Sequence, residues 1–304
     1  MTTVSGATPK LRAPAGRVTA RDELVDVVRA VSGGLLFGAP LLYTMEVWWT
    51  GTHTDPGQMA ALLALLCVPV FVLNKTGGFR VSRDVRVLDA ATDTIEAVAI
   101  GIVVTAGVLM MVREITSDTP LAVALGKVLY ESIPFCLGIG VARHFLQGDR
   151  DGADDDSHNR TDGPQASKSA APKALHPTMA DLGATAIGAL FISLSIAPTD
   201  EVPLITSTMS PAWLLVVAGA SLAATYTIVF VAGFSGQSDR HRHEGAFQSP
   251  ATETIAAYLV ALLMAAALLW MFQRGIEPWS DLLSRVIVLG FPAAIGGAAG
   301  RLAL

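Results

Sequence analysis

Charge is what this sequence has least of. Only 15% of its 304 residues are Asp, Glu, Lys or Arg, against about 25% in an ordinary soluble domain. That shortage excludes a surface that faces water on all sides. The net charge is -5 and no basic stripe runs through the chain, which excludes a nucleic-acid partner. Cysteine is almost missing as well. Cys67 and Cys136 both sit inside apolar runs, so they read as small buried hydrophobes and not as a disulfide or a metal pair. Gly-x-Ser-x-Gly, Walker A, dinucleotide-fingerprint and His-Glu-x-x-His motifs are all absent, and Ser, His and Asp occur in no catalytic arrangement. No enzymatic activity, cofactor or metal is therefore expected. A secretory signal peptide is also missing: residues 1–23 are polar, with Lys10, Arg12, Arg17 and Arg21, and are expected to form a disordered cytoplasmic tail.

What is present is apolar sequence in long runs. Hydrophobic residues make up 52% of the chain and the mean hydropathy is +0.51. A membrane-spanning helix needs roughly 20 mostly apolar residues. Eight stretches qualify: 26–48, 57–74, 89–112, 120–144, 179–198, 211–234, 250–273 and 279–302. Asp89 and Ser249 are placed as N-caps, with Pro250 where an N1 proline belongs, and Pro120 and Pro211 also open spans.

The charges orient these spans. The N-tail, 75–88, 143–178, 235–249 and the C-terminus hold most of the lysines and arginines, while the opposite loops hold only Arg113 and Arg274. This is the positive-inside pattern for a multi-pass bacterial inner-membrane protein with both termini cytoplasmic. Trp48, Trp49, Trp213, Trp270 and Trp279 fall at the predicted outer ends, as an aromatic belt would. Residues 147–177 break the pattern with a run of Asp, Ser, Pro and Lys. They lack the spacing and closing Glu of a calcium loop, and read as a flexible cytoplasmic linker.

The two sides of that linker resemble each other. Ala91-Thr92-Asp93-Thr94-Ile95 recurs as Ala251-Thr252-Glu253-Thr254-Ile255. Ile133-Pro134-x3-Gly138-x4-Arg143 recurs as Phe291-Pro292-x3-Gly296-x4-Arg301. Thr44-x-Glu46-Val47 recurs at Thr199, and Val70-Phe71-Val72 at Val229. The offsets are 160, 158, 155 and 159, in order and nearly constant. The predicted fold is an all-α bundle of eight transmembrane helices in two parallel four-helix repeats, 24–146 and 178–304, related by a pseudo-twofold along the membrane normal.

Ionisable residues within spans are costly and often mark a pathway. They fall in two layers. Glu46 and Glu201 end spans 1 and 5 at the outer side; Lys127 and Arg285 correspond at similar depth, and Glu131 lies one turn below Lys127. Pairing of Glu46 with Lys127 and of Glu201 with Arg285 is one expectation. Either these are structural interfacial pairs or the carboxylates are functional. The inner layer is Asp93 and Glu253, near the starts of spans 3 and 7, with Glu96 deeper, roughly 10 Å along its helix. Acids in a first turn complement the helix dipole, whereas Glu96 is too deep for that account. Its counterpart is Ala256, so a site there is asymmetric. Arg143 and Arg301 read as positive-inside anchors. Pro134 and Pro292 should kink their helices. Gly34-x3-Gly38, Gly138-x3-Ala142 and Gly296-x3-Gly300 are small-residue packing faces. His241-Arg242-His243-Glu244 offers too few ligands for zinc.

Gly33-Gly34-x-Leu36-Phe37-Gly38-x-Pro40, Thr44-x-Glu46, Trp48-Trp49-Thr50-Gly51 and the Ala91–Ile95 entry to span 3 resemble a family of predicted bacterial integral membrane proteins of unknown function. The resemblance runs over roughly 24–302. It implies class and location and transfers no functional residue.

The leading functional expectation is a secondary transporter or channel for a small cation or protons, with the lipid bilayer as its surroundings and homo-oligomerisation left open. The alternative is a non-transporting membrane sensor, assembly factor or lipid-binding scaffold.

Overall fold

The computed structural model describes residues 20–76, 87–147, 177–232, 234, 249–274 and 278–303. The predicted linker, most of the N-tail and the His241–Glu244 stretch lie outside them, as does the side chain of Arg143. Among the described residues, eight helices, one of them continued by a π-helical segment, are long and apolar enough to cross a membrane. They are α1 (Ala20–Leu41), α3 (Pro56–Thr76), α4 (Val87–Met111), α5 (Leu121–Gln147), α6 (Pro177–Ile196), α8 (Pro211–Tyr226), α9 (Pro250–Met271) and α10 (Trp279–Ala303). Two short helices intervene, α2 (Met45–Thr52) and α7 (Glu201–Ser207), and a π-helical segment (Thr227–Val231) extends α8. The end of the bundle where α1 starts and α10 stops is called the near end. The short helices lie at the far end.

Four local readings need correction. The sequence predicts one helix over 26–48, but the chain leaves α1 at Leu41 and restarts at Met45. Pro40 supplies no N–H to the last turn, and Thr44 takes an extended backbone, φ -135° and ψ 98°. Trp48 therefore points into the core, fully buried, and its indole N–H donates to the Leu42 carbonyl at 3.0 Å. It is no part of an aromatic belt; Trp49, Trp270 and Trp279 are exposed. Asp89 sits within the first turn of α4 and not at its cap. Ser249 does cap α9, accepting from the Thr252 amide at 3.3 Å. At the other end of the first span, α1 begins at Ala20, inside the stretch expected to be tail.

Packing is organised around two helices. α5 packs against α1, α2, α3 and α4; α10 packs against α6, α7, α8 and α9. α10 is the most buried span and α3 the least. The seam between the two groups runs along α1, which meets α10, α6 and the π segment. Glycine permits the closest approaches. A Cβ on Gly33 would meet Ala142 and the Gly138 carbonyl of α5; one on Gly188 would meet the Gly296 carbonyl and Gly300 of α10. Without water, such backbone proximity replaces the hydrophobic drive.

Pro134 and Pro292 lie inside α5 and α10, and neither interrupts its helix. Pro292 has a structural consequence. It offers no N–H to the carbonyl of Val288, four residues earlier. The Tyr43 hydroxyl fills that vacancy, donating to Val288 O at 2.9 Å across the seam. Burial pushes the Tyr43 phenol up from its ordinary pKa, keeping it a neutral donor. Tyr43→Phe should therefore lower stability by about 2 kcal/mol. Thermal unfolding in detergent micelles checks this, and the loss should shrink in a Pro292→Ala background, where the helix regains its own donor.

Candidate functional site

Charged side chains gather at three depths. At the far end, α4 and α9 finish in the same turn. Arg113 and Gln273 take left-handed backbone, φ 64° and 59°. The next amides reach back, Glu114 to Leu109 O and Arg274 to Leu269 O, at 2.9 and 2.8 Å. This is the closing pattern of a Schellman cap. A base from the following helix holds each turn. Lys127 Nζ donates to the Glu114 carbonyl at 3.1 Å and pairs with its carboxylate at 3.0 Å. Arg285 donates to the Arg274 carbonyl, and Arg274 pairs with Asp200 at 2.5 Å. The expected Glu46–Lys127 and Glu201–Arg285 pairs thus give way to these contacts. The reason is reach: a turn carbonyl freed by the helix end lies beside each base.

Glu46 and Glu201 part company although their positions match. Glu46 is exposed on α2. Glu201 is buried, and its Oε1 accepts from the Met45 amide at 3.4 Å, at the start of α2. Its Oε2 has no hydrogen-bond partner among the described residues.

Further along α5 lies Glu131, 1% exposed. Trp48 and Glu114 are its neighbours, and its Oε1 has no hydrogen-bond partner among the described residues. Burying a carboxyl this way is costly unless it is paired or neutral. The position matched to it in the other half, Leu289, is a buried hydrophobe.

At the near end two buried arginines hold the π segment. Arg301 on α10 is 1% exposed; it pairs with Glu253 of α9 and lies 3.9 Å from Asp181 of α6. Its guanidinium stands over the Phe230 ring, 5.7 Å from the centroid. From α1, Arg29 Nε donates to the Ala232 carbonyl at 2.9 Å, and its Nη1 pairs with Asp26 at 2.7 Å. The Ala232 amide closes the segment by donating to Thr227 O at 2.9 Å. π-turns of this kind cluster at functional sites. Glu253, one of the candidate pathway acids, pairs with Arg301, whose side chain is buried in the core. Asp93 is half-buried in the first turns of α4, and Glu96 lies on an exposed face beside Ile95.

Sequence reasoning passed over Arg29, Asp26, Asp181 and Glu114. The Asp26-x2-Arg29 spacing, one helical turn inside an apolar run, was a usable signal. It also passed over a groove of about 730 Å³ between α2, α3 and α5 at the far end, lined by Trp49, Thr50, His53, Gln58, Leu65, Tyr130 and their neighbours. Among the described residues no three His, Cys, Asp or Glu side chains converge to hold a metal ion.

Residues 26–304 match a family described as "Putative integral membrane protein (DUF2391)". No curated protein and no solved structure matches the chain.

Proposed function

We propose, from the premise that the chain belongs to this family of integral membrane proteins, that it moves a small cation or protons across the bilayer as a secondary transporter or channel. Glu131 carries the reading. It is an acid well inside a span, closed off from the surface, with a carboxyl oxygen that no described donor satisfies. A group so placed can persist by holding a proton or accepting a cation, which is the chemistry of a relay. The apolar Leu289 at the matched position makes the relay a feature of one half.

The proposal takes the bundle to be two repeats about a pseudo-twofold. Matched Schellman turns at Arg113 and Gln273 and matched glycine contacts at Gly33–Gly138 and Gly188–Gly296 support that view. It sets the arginine-rich near end toward the cytoplasm of a bacterial inner membrane, and it includes no catalytic step.

The test is flux in proteoliposomes. Purified protein should dissipate an imposed cation or proton gradient, and Glu131→Gln should reduce the rate by about tenfold or more, as loss of a relay carboxyl does. Wild-type flux equal to protein-free vesicles across sodium, potassium and pH gradients would reject the reading. The second reading, a non-transporting sensor or scaffold, draws on Arg301, whose contacts engage Glu253 and Asp181 together and fasten the near end.

A further inference from the structure

The far-end groove points to a lipid ligand of definite chemistry. It is an open groove of about 730 Å³. The hydrogens of three lining side chains are already committed. Thr50 Oγ1 donates to the Glu46 carbonyl at 2.8 Å, and Thr54 Oγ1 to the Thr50 carbonyl at 2.7 Å. His53 Nδ1 lies 2.9 Å from the Trp49 carbonyl. A carbonyl only accepts, so an imidazole hydrogen sits on Nδ1, and in that tautomer Nε2 is the acceptor. The groove is therefore lined by three acceptor-bearing side chains at and just beyond the end of α2: two hydroxyls and an imidazole.

Their complement is a group rich in donors. A primary ammonium carries three N–H bonds and no acceptor. The aromatic faces of Trp49 and Tyr130 suit a cation too. Charge agrees: among the described residues no lysine or arginine lines the groove, while Glu46 sits one turn before Thr50, and the Asp55 carboxylate, held at 2.8 Å by the Gly57 amide, lies between His53 and Gln58 in the chain. Beyond Gln58 the lining along α3 is apolar. Ala61, Leu62 and Leu65 continue the wall along the first turns of α3, which is the least covered span. A ligand seated on the acceptors would thus lay its tail against α3, open to the bilayer.

We infer that this groove binds an aminophospholipid, with the ammonium of a phosphoethanolamine headgroup on Thr50, Thr54 and His53 and an acyl chain along Leu62 and Leu65. The inference stands apart from the transport reading, because it uses neither Glu131 nor the near-end arginines.

Native mass spectrometry of the full chain in detergent micelles tests it. The probes are phosphatidylethanolamine, phosphatidylglycerol with the same acyl chains, and soluble glycerophosphoethanolamine. Phosphatidylethanolamine should bind with a Kd about tenfold below that of phosphatidylglycerol, the scale of one charge-assisted hydrogen-bond set. The double substitution Thr50→Val with Thr54→Val removes two acceptors at nearly constant shape. It should erase the preference while leaving phosphatidylglycerol binding unchanged. Leu62→Trp, which fills the tail path, should weaken both lipids. Equal wild-type affinity for the two lipids overturns the inference whatever the variants do. So does a preference that survives the double substitution. Soluble glycerophosphoethanolamine binding as tightly as the lipid would overturn the lipid assignment.

Discussion

Replacing Arg301 by Leu is expected to lower the stability of the bundle by about 4 kcal/mol, the cost of breaking a buried ion pair from one side. Arg301 is 1% exposed and touches three elements: Glu253 on α9, Asp181 on α6 and Phe230 on the π segment. The substitution removes the charge and leaves Glu253, about a quarter exposed, facing an apolar side chain. Asp181 is 40% exposed, so water screens its share of the loss. Thermal unfolding in detergent micelles should show a fall of roughly 10 °C. The matched experiment removes both charges. Arg301→Leu with Glu253→Leu should recover most of the loss, since an apolar pair often replaces a buried ion pair at little cost. A double variant no more stable than Arg301→Leu alone would mean that the Phe230 and Asp181 contacts, and not the pair, carry the effect.

The same site shows where sequence reading stops. The eight spans were legible because a bilayer demands long apolar runs, and apart from the first their ends fall within a few residues of those predicted. Ser249 and Pro250 mark the start of α9 as expected. The break after Leu41 was hidden, because Leu41, Leu42 and Tyr43 continue the apolar run across it. The identities of the intramembrane acids were also legible, but their partners were not. In a soluble protein, hydrophobic periodicity tells which face of a helix turns inward. Here α4 and α5 are apolar all round, so nothing in the pattern separates Glu96, on an exposed face, from Glu131, deep in the core. Partners that lie in turns were hidden too. Lys127 and Arg285 reach backbone carbonyls of Glu114 and Arg274, and a free carbonyl leaves no mark on composition.

Gly296→Leu should be as damaging as the loss of Arg301, through sterics alone. A Cβ at this position would stand 2.5 Å from the Gly188 carbonyl oxygen and 2.9 Å from Ile192 Cβ. The first is backbone, so the obstacle cannot rotate away, and α6 must separate from α10. Overpacking in a tight core costs typically 1–3 kcal/mol and more where backbone must shift; here about 4 kcal/mol is expected. The readout is the fraction of monodisperse protein after detergent extraction, together with its unfolding temperature. Gly219 in α8, with nothing among the described residues within 4 Å of a would-be Cβ, is the control: Gly219→Leu should leave both readings unchanged. Gly138→Leu makes the comparison sharper. Its Cβ would meet the Gly33 carbonyl at 2.5 Å, the same contact in the other half. If the halves descend from one unit, the two glycines should fail to a similar degree, because each lets the last helix of its half close on the first. If Gly138→Leu extracts and unfolds like the unsubstituted protein while Gly296→Leu collapses, the contacts are not equivalent. The repeat would then describe the sequence and not the way the bundle is held together.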